Sequence, residues 1–283
     1  MSAIYKSEAG RLAVEAHYRE FLSRWRVPST QFSVKTRQGE TFIVACGPET
    51  APPLLLFHGS GANSTAWLAD IAAWSAHFRV YAVDMIGEPG LSAPSRPLLA
   101  SDAYALWLDD VMAALSLTRV SIVGVSLGGW LALDYATRRP KWVKKLALMC
   151  PAGVGRQKNF LIKALPLMLL GSWGHRKVRE MVFGRASAQI TPGQAQMRDF
   201  MVLIFKHFRP RMVKIPIFSD ETLRRLTMPV LAIVGGKDVM LDSEGTCNRL
   251  ARVVPHADIR FLPDARHYIP GQTETTLEFL RAS

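Results

Sequence analysis

The stretch "IVGVSLGGW" (residues 122–130) places one serine, Ser126, between two glycines, with Gly124 two positions before it and Gly128 two positions after it. The apolar run that precedes the serine is typical of a buried strand, and the residues that follow favour a helix. Where a strand turns sharply into a helix, the positions that flank the apex must be small, because larger side chains would collide. The stretch therefore predicts a strand–serine–helix turn whose hydroxyl projects from the edge of a sheet.

Ser126 is a candidate nucleophile because such a turn exposes its hydroxyl group. The first N–H groups of a helix that begins at Leu127 have no partner within that helix, and they point toward the same place. A glycine-rich turn with a structural serine is the alternative interpretation. The strand before the motif and the helix after it are the context that favours a nucleophile.

Short apolar runs alternate with helical segments along much of the chain, which predicts a parallel sheet with helices on both faces. The runs that resemble strands span 53–59, 79–84, 120–124, 143–149, 228–238 and 258–263. Helices are predicted after Ser101-Asp102, from Leu127 to about Arg139, near Thr246–Val253 and near Glu274–Leu280. Two further strand-like runs flank Gln38-Gly39, which is typical of a hairpin turn, so antiparallel strands should precede the parallel ones.

The alternation stops at Met149 and resumes near Met228, with a helical block between the two parts of the sheet. We therefore expect one α/β core formed by 1–150 and 226–283, with 151–225 inserted as a helical cap. The interval 151–226 holds 14 Lys and Arg against 4 Asp and Glu, so it carries most of the chain's net charge of +12. A solvated basic surface is the favoured interpretation of this charge, and an anionic partner is the alternative.

An activated serine needs a base, and the base needs an acid that orients it. Asp238 directly follows the strand at 228–238 and His267 follows the last strand, so the order Ser126, Asp238, His267 fits a catalytic triad of this architecture. Asp242 and Asp264 are the alternatives to Asp238 as the acid. Surface roles are expected for His17, His77, His175, His207 and His256.

A tetrahedral oxyanion needs two N–H donors, and backbone groups near the nucleophile can supply them. We assign one to Leu127 and the other to Ser60, which lies in the glycine-rich loop "FHGSGANSTAW" (57–67) after an early strand. Gly59 and Trp67 of the same loop are expected to line the substrate pocket. His58 is expected to tie this loop in place by hydrogen bonding, with no part in proton transfer.

The bulk composition is that of a soluble globular protein. The chain has 283 residues, 49% hydrophobic and 20% charged, and its three cysteines show no metal-ligand spacing. We expect free thiols and a cytoplasmic location. No apolar stretch approaches the ~20 residues of a membrane span, and no nucleic-acid recognition motif is present. We expect a monomer or a homodimer without metal or cofactor, and we do not expect membrane association.

These motifs together resemble the α/β-hydrolase superfamily over nearly the whole chain. The matching pieces are HGSG (58–61), "VDMIGEPGLS" (83–92), GVSLGG (124–129), GGKD (235–238) and the late His267. The resemblance implies the α/β-hydrolase fold, with a mostly parallel central sheet flanked by helices and an inserted helical cap. It also implies a structural role for Asp84, and the plan is similar to that of the small carboxylesterases.

Some positions depart from patterns common in that superfamily. Arg266 precedes His267 where glycine is frequent, and Gln272 stands near a position that is often glutamate. Carbon–carbon bond hydrolases often carry asparagine before the serine and tryptophan after the histidine, whereas this chain has Val125 and Tyr268. Dehalogenases carry aspartate at the position of Ser126, so the sequence argues against that activity.

The sequence therefore predicts a serine hydrolase that cleaves carboxylic esters through an acyl-enzyme intermediate. Hydrolysis of another acyl bond (lactone, thioester or carbon–carbon) and ligand binding on a hydrolase scaffold are the alternatives. The apolar stretches 159–170 and 200–208 are expected to pack on the core and to line an apolar pocket, and interfacial lipid binding is the less favoured alternative. Such a pocket would favour small to medium uncharged acyl esters, because an unpaired charge is costly to bury.

Overall fold

The computed structural model describes residues 4–184 and 191–282, apart from the side chains of Leu161, Lys163 and His175. Eight strands in this part of the chain form one sheet in the order β1-β2-β4-β3-β5-β6-β7-β8, with ranges as follows. The strands are β1 (Ser29–Thr36), β2 (Gly39–Cys46), β3 (Pro53–Phe57), β4 (Arg79–Val83), β5 (Val120–Val125), β6 (Val143–Met149), β7 (Val230–Gly235) and β8 (Asp258–Leu262).

Helices cover both faces of this sheet and fill the segment between β6 and β7. They are α1 (Glu8–Ser23), α2 (Ile71–Ser75), α3 (Ala103–Ala114), α4 (Leu127–Arg138), α5 (Phe160–Met168), α6 (Gly171–Phe183), α7 (Pro192–His207), α8 (Asp220–Leu223), α9 (Ser243–Val253) and α10 (Thr273–Arg281). No helix among the described residues combines the length and the apolar composition that crossing a bilayer would require.

The strand directions confirm the predicted fold class. β2 pairs antiparallel with β1 and with β4, and the remaining neighbours pair in parallel. The hairpin turn lies one residue earlier than predicted, because Thr36 pairs with Gly39 and the turn residues are Arg37 and Gln38. Gly39 begins β2 with φ of +99°, a conformation that glycine adopts without strain.

Alternate side chains of the central strands pack into two separate hydrophobic clusters, one on each face of the sheet. Leu55 and Phe57 face one hydrophobic cluster, and Leu54 and Leu56 face the other. Helices α3, α4 and α9 contribute to the first cluster, and α1, α2, α7 and α10 contribute to the second. Because both faces are covered, the central strands β3 and β7 are almost entirely apolar, which explains why their sequences show no alternation.

Helix α1 was not predicted from the sequence. Ser7 caps it by accepting a 3.1 Å hydrogen bond from the Gly10 N–H, and it packs against α7. Its Tyr18 is fully buried, and the hydroxyl donates a 2.8 Å hydrogen bond to Asp84. The first helix is therefore anchored to the end of β4, next to the loop that carries Ser60.

The segment between β6 and β7 contains α5 to α8, in agreement with the helical content predicted for 151–225. The predicted packing of the apolar stretches on the core is confirmed for α7, where Phe200 and Ile204 are buried. It is wrong for α5, where Ile162 is 71% exposed and Leu165 is 63% exposed. The sequence indicated an apolar stretch within a helical segment, but it could not tell which side of the helix meets the core.

Candidate active site

Ser126 occupies the apex between β5 and α4 in a strained backbone conformation. Its φ of 54° and ψ of −112° are rare for a residue with a side chain. The Ser126 N–H donates to the Met149 carbonyl at 3.0 Å, and the Ser126 carbonyl accepts from Ala152 at 3.1 Å. Residues at and just after the end of β6 therefore hold Ser126 in this strained conformation. Backbone strain at functional sites persists only where the surrounding structure imposes it.

The two flanking glycines are required by close backbone approach, as the sequence predicted. A Cβ on Gly128 would lie 2.1 Å from the carbonyl oxygen of Phe57, and a Cβ on Gly124 would lie 2.5 Å from that of Gly128. Neither distance is compatible with a methyl group. The first turn of α4 is therefore pressed against the ends of β3 and β5.

The structure brings three distant residues into one hydrogen-bonded line. His267 Nε2 lies 3.0 Å from Ser126 Oγ, and His267 Nδ1 lies 2.7 Å from Asp238 Oδ2. Asp238 ends the turn after β7 and His267 lies in the loop after β8, so the ends of three parallel strands supply the three groups. This is the geometry that a nucleophile, a base and an orienting acid require.

The two alternative acids have other partners. Asp242 accepts a 3.0 Å hydrogen bond from the Gly245 N–H as the N-cap of α9. The side chain of Asp264 is 90% exposed and forms a 2.5 Å ion pair with Lys237. Among the three candidates, Asp238 alone contacts His267 in the described part of the chain.

Asp238 is buried, and its surroundings favour the carboxylate form. Burial alone would raise its pKa, but the hydrogen bond and the electrostatic interaction with His267, with the N–H groups of Met240 and Leu241, lower the pKa below the usual range. The Met240 and Leu241 N–H groups lie 2.7 and 3.0 Å from Oδ1. With Oδ1 held by the backbone, Oδ2 is directed at the imidazole ring.

The N–H groups assigned to the oxyanion are unpaired on the protein side. Among the described residues, neither the Ser60 N–H nor the Leu127 N–H has a hydrogen-bond acceptor. Leu127 is the first residue of α4, so its N–H cannot bond within the helix. A Cβ on Gly59 would lie 3.6 Å from Ser126 Cβ, which places the loop directly beside the serine.

His58 and Asp84 fix this loop, as expected. The Met85 N–H donates to His58 Nε2 at 3.0 Å, while His58 Nδ1 donates to the Gly59 carbonyl at 2.9 Å. Burial lowers the pKa of His58, which keeps the ring neutral and able to accept at Nε2. Asp84 Oδ1 accepts from the Ser64 N–H and hydroxyl at 3.0 and 2.7 Å. Both residues are therefore structural.

Glu88 is a site residue that the sequence analysis missed. It is 1% exposed, and its Oε2 accepts hydrogen bonds from the Gly61 N–H at 2.7 Å and from the Ser60 hydroxyl at 3.3 Å. Its Oε1 has no partner among the described residues. Burial raises its pKa, and the Gly61 N–H and the charges of Arg96 and Arg211 oppose that rise. Its place within "VDMIGEPGLS" was the only signal in the sequence.

Trp67 does not take the place that the sequence analysis assigned to it. It is 2% exposed and packs against Trp74 in the hydrophobic core, with a ring distance of 5.7 Å. A short 3₁₀ turn over Ser64–Trp67 directs the indole toward this core. We therefore leave Trp67 out of the pocket proposed below.

The remaining histidines lie in other surroundings. His17 contacts the Ala13 carbonyl within α1, and His256 contacts the Met228 carbonyl. His207 packs against Gly10, and His77 is exposed. The prediction for the His175 side chain lies outside the described residues.

Cys150 lies beside the hydrogen-bonded line. Ligand atoms of Cys150, Asp238 and His267 lie within 4.8 Å of one another. Burial first, and then the charge of Asp238, raises the pKa of this thiol to about 12. A cysteine binds a metal ion as a thiolate, whereas the raised pKa keeps Cys150 protonated. The donor chemistry therefore favours a hydrogen-bonded pair of Asp238 and His267 over a metal site.

Comparisons with known proteins show what the chain is similar to. A family model described as the alpha/beta hydrolase family matches residues 54–279. A Bacillus subtilis protein described as "uncharacterized carboxylesterase nap" is 31% identical over 264 residues, which cover 91% of this chain and 87% of that protein.

Two solved structures from Bacillus subtilis are also similar. Carboxylesterase CesB (YbfK) superposes with a TM-score of 0.82 and 29% identity, covering 96% of this chain and 99% of that one. A naproxen esterase (carboxylesterase NP) superposes with a TM-score of 0.82 and 28% identity, covering 98% of this chain and 100% of that one.

Proposed function

This chain belongs to the α/β-hydrolase family, and from that premise we propose that it is a serine carboxylesterase that works through an acyl-enzyme intermediate. One observation carries the proposal: the His267 ring lies within hydrogen-bond distance of both Ser126 Oγ and Asp238 Oδ2. The similarity to proteins named carboxylesterases over most of their length supports an ester substrate.

In the first step, Ser126 Oγ attacks the carbonyl carbon of the ester while His267 Nε2 takes the hydroxyl proton. The Asp238 carboxylate holds the Nδ1–H of the ring and stabilises the imidazolium that forms. Because Asp238 is fixed by two backbone N–H groups, the ring keeps one orientation throughout the step.

The negative charge that develops on the carbonyl oxygen is stabilised by the N–H groups of Ser60 and Leu127. Neither group has an acceptor in the part of the chain that the structure describes, so no hydrogen bond between these residues has to break at the moment of reaction. The N-terminus of α4 adds its dipole at the same point.

The tetrahedral intermediate collapses when His267 gives its proton to the leaving alcohol, and the acyl group remains on Ser126. A water molecule then takes the place of the alcohol, His267 removes its proton, and the hydroxide attacks the acyl carbon. Collapse of the second intermediate returns the proton to Ser126 and releases the carboxylic acid.

We propose that residues 151–225 form the cap of this site. Two hydrogen bonds support the proposal: Arg266 Nη1 donates to the Met181 carbonyl at 3.1 Å, and the Tyr268 N–H donates to the Val182 carbonyl at 3.4 Å. The end of α6 is therefore attached to the residues on both sides of His267. A cap in this place would shape the acyl pocket together with Gly59.

Labelling with a fluorophosphonate, followed by peptide mass spectrometry, tests the nucleophile. We expect one modified residue, Ser126, and loss of p-nitrophenyl ester hydrolysis by a factor on the order of 10⁴ or more in Ser126→Ala. Ser116→Ala is the matched control, because Ser116 also has φ of 54° but lies at the end of α3. A folded protein that does not label would favour a ligand-binding protein.

The reaction class needs a second measurement. A panel of p-nitrophenyl esters of increasing acyl length, compared with a lactone and a thioester, should show the highest kcat/KM for an uncharged ester. A higher value for the lactone or the thioester would assign the enzyme to that acyl bond. We also propose a cytoplasmic location, which the free thiols of Cys46, Cys150 and Cys247 support.

A further inference from the structure

Helices α5 and α6 expose a group of large apolar side chains that has no counterpart elsewhere in the described chain. Six such residues fall within twelve positions, and we call them the α5–α6 apolar face. They are Ile162 (71% exposed), Leu165 (63%), Met168 (42%), Leu169 (83%), Leu170 (59%) and Trp173 (47%).

The apolar side of α5 is turned away from the protein. Ile162, Leu165 and Leu169 follow the spacing i, i+3, i+7, so they form one stripe along the helix. The inward side presents the small Ala164, which is 1% exposed. A surface helix of a globular domain normally has the opposite orientation, and a contiguous exposed apolar patch marks an interaction site.

The helix that carries part of this face is basic. Within α6 (Gly171–Phe183), Arg176, Lys177 and Arg179 stand against one acidic residue, Glu180. Glu180 lies 3.1 Å from Lys177 and 3.9 Å from Arg176, so it opposes only part of this charge. The Arg176 side chain is 59% exposed. An apolar face bordered by cations is complementary to a surface that presents anionic groups over an apolar layer.

We propose that the α5–α6 apolar face docks on the surface of an anionic lipid membrane. The apolar side chains would enter the boundary between headgroups and acyl chains, with Trp173 at the level of the headgroups. Arg176 and the neighbouring basic residues would contact anionic headgroups, whose negative charge attracts cations near such a surface. The proposal departs from the expectation, drawn from the sequence, that the protein does not associate with membranes.

The docking face is connected to the proposed catalytic loop. Phe183 at the end of α6 packs against Tyr268 with a ring distance of 5.9 Å, and Tyr268 follows His267 in the chain. A protein docked through α5 and α6 would therefore hold this loop near the lipid surface. If the proposed esterase function is correct, an apolar ester dissolved in the membrane would reach Ser126 with little exposure to water.

Vesicle sedimentation with full-length Ser126→Ala protein tests the docking without any turnover. The probes are vesicles of phosphatidylcholine alone and vesicles with one third phosphatidylglycerol. We expect binding to the anionic vesicles that weakens as salt rises, because screening shortens the reach of the charges. Leu165→Gln combined with Leu169→Gln should weaken this binding at least about tenfold, since two leucine side chains that would enter the lipid are lost.

Trp173→Gln and Trp142→Gln form a matched pair. Trp142 is 38% exposed, but it directly precedes β6. It therefore lies at the amino ends of the parallel strands, whereas Ser126 lies at their carboxyl ends. Trp173→Gln should weaken vesicle binding, and Trp142→Gln should leave it unchanged. Binding by Arg176→Lys should equal that of the parent protein, and binding by Arg176→Glu should be weaker.

Three results would overturn the proposal. The first is an absence of binding to the anionic vesicles, and the second is equal binding of the Leu165/Leu169 double variant. The third is a dimer in size-exclusion chromatography that the double variant abolishes, since the face would then be an interface between two copies of this chain. None of these results depends on ester hydrolysis, so a failed esterase assay and a failed binding assay can be told apart.

Discussion

The Glu88 carboxylate accepts a 2.7 Å hydrogen bond from the backbone N–H of Gly61, one residue after the proposed oxyanion donor Ser60. The same oxygen accepts from the Ser60 hydroxyl at 3.3 Å, so Glu88 holds this loop at two consecutive residues. Because the side chain is 1% exposed, water cannot easily replace it as an acceptor. Glu88 is therefore placed to fix the direction of the proposed donor, the Ser60 N–H.

Glu88→Ala should lower kcat more than it raises KM. Removing an oxyanion donor outright costs about 10² to 10³ in kcat, so loss of a group that only positions the donor should cost roughly 10- to 100-fold. Glu88→Gln keeps an acceptor for the Gly61 N–H and should recover most of the activity. Affinity for a trifluoromethyl ketone, which forms an oxyanion on Ser126, should fall in parallel with kcat.

A purely structural role for Glu88 predicts different results. In that case both variants would lose thermal stability, while the kcat of the folded fraction and its affinity for the ketone would stay at parental values. Active-site titration with the fluorophosphonate provides the concentration of folded sites that this comparison needs.

Glu88 should also make stability depend on pH. Burial raises its pKa in the folded protein above the unfolded value of about 4.3, so folding favours the protonated form. This stabilising contribution is complete below the unfolded pKa and is lost as pH rises through the folded pKa. The free energy of unfolding of Glu88→Gln, relative to the parent protein, should therefore increase as pH rises from about 4 in urea titrations. A relative stability that falls over this range would contradict the assignment.

Asp238→Asn should damage catalysis far more than the same change at either neighbouring aspartate. An amide would favour the wrong tautomer of His267, and the expected loss in kcat is on the order of 10³ to 10⁴. Asp264→Asn removes only an exposed ion pair with Lys237, and Asp242→Asn retains a good N-cap. Steady-state kinetics on all three variants decides the point, and a larger loss at Asp264 would show that the acid is misplaced.

Gly128→Ala should destabilise the protein although alanine is the better helix former. The added Cβ would lie 2.1 Å from the Phe57 carbonyl oxygen, and overpacking of this kind costs about 1–3 kcal/mol or more. Gly193→Ala is the control within α7, because nothing lies within 4 Å of the Cβ it would add. Urea denaturation should show a lower free energy of unfolding for the first variant and an equal or higher one for the second.

Much of the core fold could be predicted because its signals are local. The strands are continuous apolar runs that end at glycine, proline or charged residues, and the turn at Ser126 has a sequence that sterics alone explain. The choice of Asp238 over Asp264 also followed from local order, since Asp238 comes directly after β7. These features need no knowledge of distant contacts.

The features that were missed depend on distant contacts. Glu88 acquires its role only when the loop after β4 folds against Gly61, which is 27 positions away in the chain. Trp67 lies close in sequence to Ser60, but the turn between them directs its ring into the core. For α5, a helical period is the same whether the apolar stripe faces the core or the solvent, so the sequence could not reveal the exposed face.

Strands β6 and β7 are direct neighbours in the sheet, yet roughly 80 residues separate the end of one from the start of the other. The entropic cost of closing such a long connection grows only with the logarithm of its length, by about 0.6 kcal/mol for each doubling. Insertions or deletions between α5 and α7 would therefore have little effect on the closure cost of the sheet, while they would change the proposed cap. Natural selection can remodel this segment without rebuilding the strand ends that hold Ser126.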